Sequence, residues 1–259
     1  MKDNWTPTAI GLAFVFIILS MVLDGSSPTV LIKPAPIALV FGGTFLAGMA
    51  GYMKSDLQNF SSLIKVATKV PVFDGESAVK EFIGYASIVK RDGVLELEKA
   101  VSKIDDDFLK LGFGLLAGSK GSEELREILE NEVESMKERH HTGARIFGDM
   151  GGYAPTLGII GTVIGLIHVL GSLSSPNAIG PAIASAFTAT LWGVLSANII
   201  FLPLSKKLKH ASDLEVRFRE MQIEGILAVQ HGETSNGVRE RMEAFLPPAE
   251  RDNSKRDAA

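Results

Sequence analysis

The chain has 259 residues, of which 46% are hydrophobic and 22% are charged, with a formal net charge of −4 at pH 7. It contains no cysteine, which excludes disulfides and thiolate chemistry. The mean hydropathy of +0.21 is too high for an ordinary soluble domain with this much charge, unless the charge is segregated along the chain.

The charge is segregated, because apolar stretches alternate with charged ones. The four apolar stretches are residues 8–23, 35–53, 151–173 and 178–204. A membrane-spanning helix needs about 20 apolar residues. The two later stretches meet this length, and Trp5 and Tyr52 are suited to the membrane interface beside the two earlier ones. A secretory signal is the alternative for the first stretch, but no clear small-residue cleavage site follows Leu23.

Basic residues predict the orientation of these spans. The links between the first and second spans and between the third and fourth contain a single basic residue, Lys33. All other lysines and arginines precede the first span, lie between the second and third, or follow the fourth. The positive-inside rule therefore places both termini and the middle segment in the cytoplasm. Basic residues next to the spans, such as Lys54 and Lys206, are suited to contact anionic lipids.

The segment 54–150 has the 3.6-residue periodicity of helices and few strand signals. Gly93 and Gly118 are helix-ending positions, and Ser122 followed by two glutamates is a helix start. Expected helices are 76–91, Leu95–Lys103, Asp105–Leu116, one from Ser122 into the third span, and Lys206–Gln230, before a disordered tail at 247–259.

These patterns predict an all-α membrane protein with four transmembrane helices and a helical cytoplasmic insert between the second and third. The predicted divisions are a transmembrane hairpin at 1–53, a cytoplasmic domain at 54–150, a second hairpin at 151–204, and a cytoplasmic helix with a disordered tail at 205–259.

The second hairpin has small residues at helical spacing. Gly161 and Gly165 form a G-x-x-x-G pattern, and alanines, Thr190 and Gly193 form a continuous small face on the fourth span. Close helix packing explains such faces, and an ion path is the alternative. Thr162 and Thr190 lie at similar depths, about 16 Å and about 21 Å from the cytoplasmic ends of their helices. We expect both hydroxyls near mid-membrane, although a membrane threonine often bonds back to its own helix.

From Met150 to Ser205 the sequence has no Asp, Glu, Lys or Arg, so a proton channel here needs a titratable group from a partner. Pro155 and Pro203, near the cytoplasmic ends of their spans, can act as hinges or as structural punctuation. The charges around Gly93, among them Lys90, Arg91 and Glu98, have the composition of a solvated surface. No enzyme, nucleotide-binding or metal-binding motif is present, so we predict no catalysis, no cofactor and no nucleic-acid partner.

Several separated segments resemble the MotA/PomA family, the A subunit of the bacterial flagellar stator. The resemblance covers nearly the whole chain and is strongest in RDGVLELE (91–98), DDFLKLGFGLL (106–116), APTLGIIGTVIGLIHVL (154–170), IGPAIASAFTATLWGVLSANIIFLPLSKKL (179–208) and EGILAVQHGETSNGVRERMEAFLPP (224–248).

This resemblance implies an ion-driven motor subunit in the bacterial inner membrane. It implies a homo-pentamer around a dimer of a MotB/PomB-type partner, whose span brings the ion-binding Asp. Carried over by motif, Thr162 and Thr190 would face the ion path, and Pro155 and Pro203 would couple ion occupancy to movement. Lys90, Arg91 and Glu98 would contact the rotor protein FliG.

Two other classes remain open. ExbB and TolQ resemble the third and fourth spans and energise outer-membrane processes, but they have a single span before their cytoplasmic region. A membrane scaffold without ion flux is the third class. Some family members have two adjacent threonines where this chain has Ala189 and Thr190, so the sequence favours protons over sodium as the coupling ion.

Overall fold

A computed structural model describes residues 5–58, 60–68, 70, 72–94, 96–97, 106–118 and 120–251, and these residues are almost entirely helical. The helices are α1 (Trp5–Leu23), α2 (Pro34–Ala50), α3 (Lys54–Leu57), α4 (Phe60–Thr68), α5 (Gly75–Asp92), α6 (Asp107–Ala117), α7 (Ser122–Gly171), α8 (Pro176–Gln230) and α9 (Ser235–Glu243). Short 3₁₀ turns lie at Pro28–Leu31 and Pro248–Glu250, the latter within the stretch expected to be disordered.

Among the described residues, α1, α7 and α8 are long and apolar enough to cross a membrane. The fourth apolar helix, α2, is shorter, and its length is about 25 Å at about 1.5 Å per residue. Both α2 and α8 contain a π-helical turn, at Ala38–Gly42 and Ser196–Phe201. Such turns shift the backbone hydrogen bonds locally and are frequent at functional sites.

The chain forms two compact units. An apolar unit comprises Met1–Val72 and His140–Ala211, and a charged unit comprises Phe73–Arg139 and Ser212–Ala259. In the apolar unit, buried side chains of α7 and α8 form one core cluster, which includes Phe147, Met150 and Leu204. Phe60 of α4 stacks on Phe147 with a centroid separation of 5.3 Å, so the amphipathic α4 joins this cluster.

The charged unit has its own hydrophobic core, to which α5, α6, α7, α8 and α9 contribute. Phe82 of α5 and Leu125 of α7 are fully buried in this core. Asp74 caps α5 by accepting a hydrogen bond from the Ser77 amide at 3.0 Å, and Gly93, with a φ of +86°, ends it. The expected helix Leu95–Lys103 lies mostly outside the described residues.

Candidate functional site

The predicted ion-path residues lie in a stretch where α7 and α8 approach each other closely. A methyl group at Gly193 would lie 2.7 Å from the Ala154 carbonyl oxygen, and one at Gly158 would lie 3.0 Å from the Thr190 Cα. These obstacles are backbone atoms, which cannot move aside as a flexible side chain can. The glycines therefore allow the two helix backbones to touch, as small residues do in membrane helix pairs.

This close approach brings the Thr162 and Thr190 hydroxyls into direct hydrogen-bond contact. Thr162 Oγ1 also lies 3.1 Å from the Gly158 carbonyl oxygen on its own helix and 3.3 Å from the Ala186 carbonyl oxygen across the interface. Thr190 Oγ1 lies 3.3 Å from the Gly158 carbonyl oxygen. Four oxygen atoms are therefore gathered in one part-buried cluster.

The two threonine hydroxyl protons are too few to form a hydrogen bond at every oxygen–oxygen contact in this cluster. Each threonine hydroxyl has one proton to donate and two lone pairs that accept. The two protons make two hydrogen bonds, although the cluster offers four oxygen–oxygen contacts. Lone pairs on the hydroxyl oxygens therefore remain available to a cation or to a water molecule. Thr162 contacts the Gly158 carbonyl oxygen of its own helix, as membrane threonines often do, and it also contacts Thr190 across the interface.

The neighbouring positions 188 and 189 have different surroundings. Ala189 is buried against Gly161, where an added methyl group would lie 2.5 Å from the Ala189 Cβ, so the two helices are in close contact there. Thr188 points elsewhere, because its Oγ1 donates to the Ala184 carbonyl oxygen at 2.7 Å. A sodium ion at the Thr162–Thr190 cluster would find no third hydroxyl at either position.

Contacts made by Trp192 and Tyr52 were missed by sequence reasoning. The Trp192 indole donates to the Leu31 carbonyl oxygen at 2.8 Å and ties α8 to the α1–α2 link. Tyr52, expected as an interfacial anchor, donates its hydroxyl to the Asp149 carboxylate at 2.5 Å. The available signals were a tryptophan within a span and a carboxylate at the edge of one.

Both predicted hinge prolines lie inside long helices. Pro155 interrupts the hydrogen-bond ladder of α7, because it has no amide proton for the Gly151 carbonyl. Pro203 lies two residues after the π-helical turn Ser196–Phe201 of α8. Each helix therefore has weakened backbone hydrogen bonding at its proline, which makes bending there easier.

Lys90 and Arg91 lie on the last turn of α5 and are exposed. Arg91 donates to the adjacent Asp92 at 2.9 Å, and this pairing lowers the pKa of the Asp92 carboxyl and raises the pKa of the Arg91 guanidinium. Glu98, the third predicted rotor contact, lies outside the described residues. Within the described part of the chain, no group of three or more His, Asp or Glu side chains is placed to hold a metal ion.

Comparison with known proteins decides the family. The model of the MotA/TolQ/ExbB proton channel family matches residues 100–221. Motility protein A of Bacillus subtilis is 36% identical over 250 residues, covering 96% of this chain and 93% of that protein. The chain belongs to the MotA/PomA family. Chemotaxis protein PomA of Vibrio alginolyticus is also similar, at 30% identity over 94% of this chain and 96% of that protein.

Solved structures agree with this assignment. The flagellar MotAB stator complex of Bacillus subtilis matches with a TM-score of 0.89 and 36% identity, over 96% of this chain and 98% of that chain. The C. jejuni MotAB structure matches with a TM-score of 0.90 and 28% identity, over 95% of this chain and 96% of that chain. The MotA/PomA relatives match over nearly the full length, including the N-terminal part that the family model does not cover, which favours them over TolQ and ExbB.

Proposed function

We propose that this chain is the A-type subunit of a flagellar motor stator, which conducts ions with a partner and transmits torque to the rotor. The observation that carries the proposal is the Thr162–Thr190 oxygen cluster, which lies in a segment without any Asp, Glu, Lys or Arg. The cluster offers oxygen ligands but no titratable group. The stator structures of its relatives contain a B-type protein, and such a partner can supply the missing carboxylate.

The proposed arrangement places four spans in the bacterial inner membrane, formed by α1, α2, the later part of α7 and the first part of α8. Both termini and the segments 54–150 and 205–259 lie in the cytoplasm, as the distribution of lysine and arginine favours. A homo-pentamer of this chain surrounds a dimer of a MotB/PomB-type partner. Basic residues beside the spans contact anionic lipids.

Ion movement past the cluster is coupled to motion through Pro155 and Pro203, where α7 and α8 bend most easily. The motion reaches FliG through an electrostatic surface that includes Lys90, Arg91 and Glu98. The exposure of Lys90 and Arg91 supports this role, because neither side chain is needed to fill the core of the charged unit.

The coupling ion is a proton in this proposal. Sodium must exchange much of its hydration shell for protein oxygens, and the buried methyl of Ala189 supplies none. A proton needs a carboxylate and a chain of hydrogen-bonding groups, which a partner Asp and the two threonine hydroxyls supply.

Two experiments test the proposal. Ion flux should be present when this chain is expressed with an unplugged partner and absent when it is expressed alone, because the spans offer no carboxylate. Arg91→Glu should impair swimming at normal membrane levels, whereas Lys80→Glu, an exposed reversal on the same helix, should not. Flux from this chain alone would contradict the partner requirement, and normal swimming with both Arg91→Glu and Glu98→Lys would contradict the torque surface.

A further inference from the structure

Helix α2 contacts α7 on both sides of Pro155. On one side, a methyl group at Gly43 would lie 3.1 Å from the Leu157 Cδ1. On the other side, a methyl group at Gly48 would lie 2.6 Å from the Met150 Cγ. The proline turn lies between these two close contacts, so α2 spans the point where α7 bends most easily.

A hydrogen bond fastens the cytoplasmic end of this contact. Tyr52, two residues beyond α2, donates its hydroxyl to the Asp149 carboxylate at 2.5 Å, next to the Gly48–Met150 contact. Asp149 is the sole acidic residue between Glu138 and Asp213. A short hydrogen bond to a charged acceptor is stronger than a neutral one, so this bond is a strong polar link between the end of α2 and α7.

A bend at Pro155 would move Asp149 relative to Leu157. Since α2 contacts α7 both above and below the proline, such a bend must open at least one of these contacts. The Gly43–Leu157 contact is on the side of the threonine cluster, and the Tyr52–Asp149 bond is at the opposite, far end. Asp149 is 13 positions from Thr162 in the sequence, about 20 Å along the helix, so it acts at a distance from the cluster.

We propose that Tyr52 and Asp149 are positioning residues, whose hydrogen bond fixes the resting position of α7 below Pro155 and resists its bending. This inference rests on the proposed function, because it assigns the bond a role in transmitting force. Without the bond, α7 bends more easily at Pro155, and each ion passage delivers less force against a high load. At low load, ion throughput limits the speed, and a looser hinge has little effect.

The test uses the full stator complex in single motors that rotate beads of different sizes. Tyr52→Phe and Asp149→Ala each remove the bond, whereas Asp149→Asn keeps an oxygen that can accept it. Tyr153→Phe is the matched control, since it removes the same hydroxyl group from a tyrosine that lies on α7 near Asp149 and is 46% exposed. Stators are counted from the stepwise changes in torque, so that torque per stator is separated from stator number.

We expect Tyr52→Phe and Asp149→Ala to lose stall torque per stator while keeping low-load speed, and the double variant to be no worse than either. Asp149→Asn and Tyr153→Phe should match the unsubstituted motor. Unchanged torque–speed curves would overturn the proposal, as would a loss explained by stator number alone. If Asp149→Asn is as damaging as Asp149→Ala while Tyr52→Phe is harmless, Asp149 acts through its charge and the proposal is wrong.

A second measurement is independent of these variants. The chain has no cysteine, so the pair Gly48→Cys and Met150→Cys can be joined by oxidation without competing thiols. The disulfide should permit rotation, because it holds α7 below Pro155 as the hydrogen bond does. The pair Gly43→Cys and Leu157→Cys should stop rotation when oxidised, because it locks the contact that a bend must open, and reduction should restore rotation. Arrest of rotation with the first pair oxidised, or normal rotation with the second pair oxidised, would overturn the proposal. A failure of the proposed function itself would already appear as absent torque in the unsubstituted complex.

Discussion

The close approach of α7 and α8 can be tested by adding one methyl group to Gly158. The Cβ of alanine there would lie 3.0 Å from the Ala189 carbonyl oxygen and 3.2 Å from the Gly193 Cα. Ordinary contacts at such positions are 3.4–4 Å, so the helices must separate by several tenths of an ångström. Overpacking of this kind costs about 1–3 kcal/mol.

The matched control is Gly152→Ala, on the same helix. Nothing lies within 4 Å of a Cβ at Gly152, so the substitution adds helix propensity without a clash. Alanine is favoured over glycine within a helix by about 1 kcal/mol, and this gain applies to both variants. The difference between the two free energies of unfolding therefore isolates the clash, and we expect Gly158→Ala to be less stable than Gly152→Ala by about 1–3 kcal/mol.

The assay is a denaturing-detergent titration of the purified protein in micelles, in a Trp5→Phe background. The fluorescence then reports Trp192, whose indole donates a hydrogen bond to the Leu31 carbonyl oxygen. Gly158→Ala should also reduce motility, because separated helices widen the Thr162–Thr190 cluster. If Gly158→Ala is as stable as Gly152→Ala, then the helices do not touch at Gly158 and the oxygen cluster is not built as described.

Three further predictions concern the charged unit and the coupling ion. Asp106 accepts hydrogen bonds from two amides at the start of α6 and forms an ion pair with the mostly buried Arg219 at 2.7 Å. Asp106→Ala should therefore lower the free energy of unfolding by on the order of 3 kcal/mol. Asp106→Asn keeps a side-chain oxygen that can cap α6, so in the same titration it should lose about 1 kcal/mol less stability than Asp106→Ala. Equal losses of stability in the two variants would contradict the capping role. Burial raises the pKa of Tyr85 to about 12, so in a variant with Phe at both other tyrosines the absorbance of tyrosinate should appear near pH 12. Because the pKa of Tyr85 is higher in the folded than in the unfolded state, its contribution to the free energy of unfolding is fully present below pH 10 and is lost as the pH rises towards 12. An inflection of the tyrosinate absorbance near pH 10 in the folded protein would contradict the burial of Tyr85. Motor speed should be unchanged when sodium is replaced by potassium at constant pH and ionic strength. A speed that follows the external sodium concentration would contradict the proton as the coupling ion.

Local sequence patterns determined which segments are helical and which of them are apolar. The helical periodicity of 76–91 and the stop at Gly93 depend on residues a few positions apart, so α5 was predicted almost to its ends, whereas its cap at Asp74 was not predicted. The same holds for α7, where the Ser122 start and the continuous periodicity predicted one helix running into the third apolar stretch. The span count was less determined, since α2 is shorter than the other apolar helices.

The tertiary structure alone decided which of these residues meet. Matching depths predicted that Thr162 and Thr190 lie at one level, but a direct hydroxyl contact also requires the rotation and spacing of both helices, which Gly158 and Gly193 set through backbone contacts. The Tyr52–Asp149 bond joins residues 97 positions apart, and no local periodicity relates them. Sequence fixes the pattern along one helix, because that pattern follows from backbone geometry. The register between helices follows from the packing of many side chains at once, so the oxygen cluster and the link across Pro155 became visible in the folded chain.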